Sequence, residues 1–303
     1  MQNTNTKNAL AFAGGGIRGF SHIGIVDVME QEGLSADIVG GTSMGSVIAA
    51  MYASGICAAD MLAFCMDVER AFRGKKALKK PASPLFVPPP SDKKTGFGNR
   101  DGLRDSIFIE EIIGAAFDKL GMSTLQDLQI PIVIPAVDIN TSKLIFFCSD
   151  SSGFPPSDSY ECIIDAPISV AVRASCAFPL MFSSFLYGGY RLVDGGVRMN
   201  IPVWPLRLMG ADKVLACNLR NFRMQGTPKS FYDTAIRSID VMSSQLTAVL
   251  AESADAVLTV TADDVSAFDT GHGNSLYLRG VAAATENRQK LIDCFGKEFQ
   301  NEN

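Results

Sequence analysis

Histidine occurs only twice in these 303 residues, at His22 and His272, so a histidine-based catalytic triad has two candidates at most. The seven cysteines are scattered without a C-x-x-C pair, and several sit in apolar surroundings. They read as reduced core residues, and none stands beside a recognisable base that would make it a nucleophile. Zinc-ligand spacing, an internal repeat and the phosphate-binding pattern G-x-x-x-x-G-K are all missing. There is no basic tract interleaved with aromatics, and the formal net charge is −5, which argues against nucleic acid as the main partner. The polar N-terminus carries no secretory signal, so a cytoplasmic location is expected. One uncharged run, residues 38–59, is long enough to cross a bilayer. Its glycines, serines and Thr42 are better explained by a strand, a turn and a buried helix.

What the chain does have is 47% hydrophobic content, enough for a large core and a single α/β domain over residues 1–303. The stretch from Asp37 to Ser46 organises it. Ile38-Val39-Gly40 reads as a short buried strand, and Val47 to Ala53 as an apolar helix, with Gly41-Thr42-Ser43-Met44-Gly45 as the turn between them. In G-x-S-x-G the glycines leave room for a sharp reversal that holds the serine in a sparsely allowed conformation. Its oxygen would then stand over a helix N-terminus, which favours developing anions.

Earlier, an apolar segment at residues 10–13 runs into Gly14-Gly15-Gly16-Ile17-Arg18-Gly19 and then a helix over residues 20–32. The glycines at 14, 16 and 19 satisfy the dinucleotide fingerprint G-x-G-x-x-G, but Asp37 precedes the next strand where the fingerprint wants an acid at its end. A nest of backbone N–H groups forming an oxyanion hole for Ser43 accounts better for four glycines in six positions, with Arg18 adding charge or bracing the loop.

After a helix at residues 58–70, the basic and proline-rich residues 73–98 read as a mobile excursion: a solvated insertion, a lid, or a basic contact with anionic lipid headgroups. A helix at 105–120, paired strands at 130–138 and 143–148, a loop at 149–160 and a helix at 165–174 follow. Residues 173–182, small then large and apolar, suit either an acyl-sized groove or the core. The strand at 190–193 ends in Asp194-Gly195-Gly196, a turn that presents its carboxylate outward. Strands at 213–217 and 257–260, a helix at 232–254 and a terminal helix complete the scaffold.

A nucleophilic serine needs a proton acceptor. His22 belongs to the helix after the glycine loop and reads as structural. His272 follows Asp194 and would complete a conventional Ser-Asp-His esterase; otherwise Asp194 must serve Ser43 directly.

These blocks, in this order, resemble the patatin-like phospholipases. Gly14 to Gly19 is similar to that family's oxyanion loop, Gly41 to Gly45 to its nucleophile elbow, and Asp194-Gly195-Gly196 to its aspartate turn. Flanking support comes from His22-Ile23-Gly24, Ala136-Val137-Asp138, residues 173–179 and Asn200-Ile201-Pro202-Val203. The resemblance implies a three-layer α/β/α fold with a central, mostly parallel sheet. It also implies a lipid acyl hydrolase working through a Ser43–Asp194 dyad, needing neither cofactor nor metal. Gly14, Gly15, Gly16 and Arg18 would form the oxyanion hole, supported by Gly19, Gly41, Gly45, Gly195 and Gly196. The implied partner is a phospholipid or lysophospholipid at a membrane surface, to which the protein would be peripheral. Competing readings are a nucleotide-binding or signalling module using the Gly14–Gly19 loop and a catalytically silent relative.

Overall fold

The computed structural model describes residues 6–74, 101–220 and 227–296; the anticipated excursion at 73–98 lies almost wholly outside them. Eleven strands are described: β1 (Asn8–Phe12), β2 (Ile38–Gly41), β3 (Gly102–Arg104), β4 (Ile132–Asp138), β5 (Leu144–Cys148), β6 (Tyr160–Ile163), β7 (Leu180–Phe182), β8 (Phe185–Tyr187), β9 (Tyr190–Asp194), β10 (Lys213–Arg220) and β11 (Ala256–Thr261). The helices are α1 (Phe20–Gln31), α2 (Met44–Ala53), α3 (Ala58–Gly74), α4 (Ile107–Asp118), α5 (Ile168–Ser175), α6 (Val203–Leu208), α7 (Phe231–Ala251), α8 (Gly273–Glu286) and α9 (Arg288–Phe295).

The main sheet runs β11-β10-β1-β2-β4-β5-β6, with β9 also on β4 and β8 on β9. Its pairings from β11 through to β4 are parallel. Strands buried on both faces need apolar residues at every position, and β4 is buried throughout. Alternate residues of β1 serve opposite layers: Leu10 and Phe12 join the core beneath α1, α2 and α8, while Ala9 and Ala11 face a second core with Ile201, Val203 and Leu206. Helices thus cover both sides, as the three-layer reading requires.

Strand β4 changes partner halfway. Ile132 and Val133 pair with β2, whereas Ala136, Val137 and Asp138 pair antiparallel with β9. Pro135 falls in the gap between the two partners, where its missing N–H leaves that edge intact. Because β2 and β9 approach this gap from opposite directions, their carboxyl ends meet there. This junction brings together the two turns that lie about 150 residues apart in the chain.

Three local expectations needed revision. Residues 160–163, read partly as loop, form the edge strand β6, whose half-exposed pattern lacks clean alternation. Strands β7 and β8 have only three residues each, too few to carry a period. The terminal helix is two helices separated at Asn287.

Candidate active site

Ser43 occupies the N-cap of α2 with φ 54° and ψ −127°, the strained turn anticipated from its glycines. Ser43 N–H donates to Ser175 Oγ at 2.9 Å, and the Ser175 hydroxyl donates to the Pro135 carbonyl at 2.7 Å. Ser46 Oγ donates to the Ser43 carbonyl at 2.6 Å. The elbow is thereby tied to α5 and to the gap in β4. Close approach explains its glycines: a β-carbon at Gly45 would sit 2.5 Å from the Phe12 carbonyl oxygen, and one at Gly41 would collide with the Gly45 carbonyl.

Asp194, at the end of β9, is 1% exposed. Its Oδ1 accepts the Gly196 N–H at 2.7 Å, while Oδ2 is buried without a completed hydrogen bond among the described residues. Burial pushes the carboxyl up to about 6, against the opposing pull of the Ser43 hydroxyl and the Gly196 N–H. The turn is pressed against its surroundings, since a β-carbon on Gly195 would strike the Pro135 carbonyl and crowd Thr42. Ser43 and Asp194 line one cavity of about 300 Å³.

The glycine loop forms another wall of that cavity. Gly14 N–H donates to the Asn200 carbonyl at 3.0 Å, and Gly14 lies beside Ser43 Cβ. Gly15 and Gly16 N–H have no partner among the described residues. Arg18 is buried, and its Nε donates to the Gly15 carbonyl at 3.1 Å, so it braces the loop. Burial lowers its pKa, opposed by Asp240 and Asp263. Gly19 packs directly on Met44 of the elbow.

Neither histidine stands beside Asp194. His22 is fully buried and its Nε2–H donates to the Ala13 carbonyl at 2.8 Å, which leaves Nδ1 unpartnered. Burial depresses it to about 4, so the ring is neutral. His272 is exposed at the head of α8 and does not line the cavity. The backbone N–H groups of Gly271, His272 and Gly273 converge on the buried Glu69 carboxylate, which caps that helix. Asp37, the acid considered for ribose, instead accepts the Asn8 N–H at the opposite end of β1.

The cavity is amphipathic. Helix α4 and residues 176–182 contribute Phe108, Ile109, Ile112, Phe178 and Phe182, whereas α7 contributes Asp240, Ser243, Ser244 and Thr247. Phe178 and Phe182 thus line the groove that residues 173–182 suggested. Asn200 was read only as flanking sequence. Its Nδ2 donates to Thr247 Oγ1 at 2.9 Å, and its backbone carbonyl holds Gly14, so it links the glycine loop to α7. Ser175 was likewise visible only as a small residue beside Cys176. Among the described residues no cluster of three or more His, Cys, Asp or Glu is placed to hold a metal ion, and no helix is long and apolar enough to cross a membrane.

A mostly parallel sheet between two layers of helices presents a strained serine at one strand end and a buried aspartate at another, and both line one cavity. Residues 10–207 match the Patatin family, patatin-like phospholipase, and the chain belongs to that family. It is 31% identical over 198 residues to the uncharacterized protein YqhO of Bacillus subtilis (strain 168), covering 64% of each chain. It is 28% identical over 225 residues to "Lysophospholipase NTE1" of Coccidioides immitis (strain RS), covering 74% of this chain and 12% of that one. The chain therefore spans less than two thirds of the length of these relatives. Among solved structures it is similar to VipD from Legionella pneumophila, with TM-score 0.53 and 14% identity over 95% of this chain and 67% of that one, a likeness of fold.

Proposed function

We propose that this chain hydrolyses a carboxylic ester of a phospholipid or lysophospholipid through a Ser43–Asp194 dyad. The observation that carries the reading is the buried Asp194 carboxyl, raised to about 6 and sharing a cavity with a serine on a strained elbow. Ser43 Oγ bonds to the ester carbonyl carbon while its proton passes to Asp194. The tetrahedral oxyanion is held by the N–H groups of Gly15 and Gly16, on the loop braced by Arg18. As the C–O bond to the leaving alcohol breaks, Asp194 returns the proton to that oxygen. Water then attacks the acyl-enzyme with Asp194 as acceptor, releasing the fatty acid and restoring Ser43. A preorganised donor of this kind contributes about 2.7–4 kcal/mol of transition-state stabilisation. The cavity's apolar walls suit an acyl chain and its α7 side a polar head, and the relatives named lysophospholipase support the same substrate class.

The test is labelling with a fluorophosphonate probe, followed by mass spectrometry of the modified peptide, with Ser43→Ala as control. Modification at Ser43 is expected. A folded protein that stays unlabelled with and without lipid vesicles refutes the activated serine.

A further inference from the structure

Helix α7 has its polarity reversed for a surface helix. Its three charged residues, Asp233, Arg237 and Asp240, all lie on the partly buried side, and Asp240, Ser243, Ser244 and Thr247 line the cavity. The opposite face is turned to solvent and carries no charge from Phe231 to Ala251, with the exposed Glu252 following at the C-cap. Phe231, Met242 and Val249 fall on one line along it at helical spacing, with Val241 alongside, and their exposures are 79%, 65%, 63% and 62%. Ser238 and Gln245, the intervening residues on that line, are also exposed and uncharged. A surface helix ordinarily places these classes the other way round.

We infer that the outer face of α7 is a docking surface for a lipid–water interface, which sets the wall of the cavity against the surface that holds the substrate. This rests on the lipid-hydrolase reading, because what sits on one side of α7 is one helix diameter from the cavity on the other. The chemistry favours lipid. A line of large apolar residues interleaved with small polar ones, without charges to fix a register, suits an interface that offers area without specific pairing. Lys229, exposed two residues before Phe231, stands at headgroup level when that ring is immersed. The side turned away from lipid keeps Asp233, Arg237 and Asp240 against the protein, so immersion buries none of those three. Binding is driven by apolar area, and it extends to uncharged bilayers and persists at high salt.

The experiment uses the full chain carrying Ser43→Ala, so that vesicles are not consumed, in co-sedimentation with phosphatidylcholine vesicles. A second protein adds Phe231→Ser, Met242→Ser and Val249→Ser, all outside the cavity lining. The parent is expected to bind with little salt dependence, and the triple substitution to weaken partitioning at least about tenfold. With Ser43 restored, the triple variant should hydrolyse a soluble short-chain ester at the unsubstituted rate. Unchanged vesicle binding by the triple variant, or none by the parent, overturns the inference. Self-association in ultracentrifugation that the triple substitution abolishes would make a second copy the occupant and also overturn it. Vesicle binding that depends on the α7 residues, in a chain without ester hydrolysis, would instead remove the enzymatic reading and leave the docking surface standing.

Discussion

Replacing Asp194 with asparagine should remove one source of pH-dependent stability and silence catalysis. The carboxyl is buried and titrates at about 6, against 3.8 for an ordinary aspartate. The folded state therefore binds more protons than the unfolded chain between those values, and stability falls as pH rises through that window, levelling off above it. The full penalty at neutral pH is on the order of 3 kcal/mol. Asparagine cannot ionise, yet its oxygen can still accept the Gly196 N–H. Its amide nitrogen takes the place of Oδ2, where no partner stands, a cost that does not vary with pH. The stability of Asp194→Asn relative to wild type should thus grow by roughly 2 kcal/mol between about pH 4.5 and about pH 7.5. His22 works in the opposite direction, since its depressed pKa removes stability as pH falls from 6.5 towards about 4. It is present in both proteins and cancels. Urea denaturation of the pair at the two pH values measures the gap; a gap that does not change with pH refutes the burial argument. Separately, ester turnover of the variant near the wild-type rate refutes the dyad.

For wild type, kcat/KM towards a soluble ester should rise with pH through about 6 and then stay flat, because Asp194 must be ionised to accept a proton; an undiminished rate at about pH 4.5 would assign the base elsewhere. His272→Ala should leave turnover within about threefold of wild type, as the side chain lies outside the cavity; abolished turnover would restore the Ser-Asp-His reading. Gly45→Ala places a methyl 2.5 Å from the Phe12 carbonyl oxygen. It should lower stability by about 1–3 kcal/mol or prevent folding, read as a reduced urea midpoint.

Much of the site is legible in the sequence because its requirements are local. The elbow that holds Ser43 at positive φ packs so closely that Gly41 and Gly45 admit no side chain, and that G-x-S-x-G spacing is written within five residues. The buried strands read as apolar runs and the longer helices by their spacing. Strands β6, β7 and β8 were hidden, since short or half-exposed segments lack a period. The partner of the Gly14 N–H was not legible, because Asn200 lies far along the chain.

The sequence by itself determined the elbow, the glycine loop, the aspartate turn and the long central strands, because each is a short run with its own spacing or apolar pattern. Only the tertiary structure decided that Asp194 is buried and raised, that His272 stands apart, and that α7 turns its charges inward. Those properties depend on solvent exclusion, and it is the change of partner along β4, not any local rule, that brings two strand ends together from distant parts of the chain.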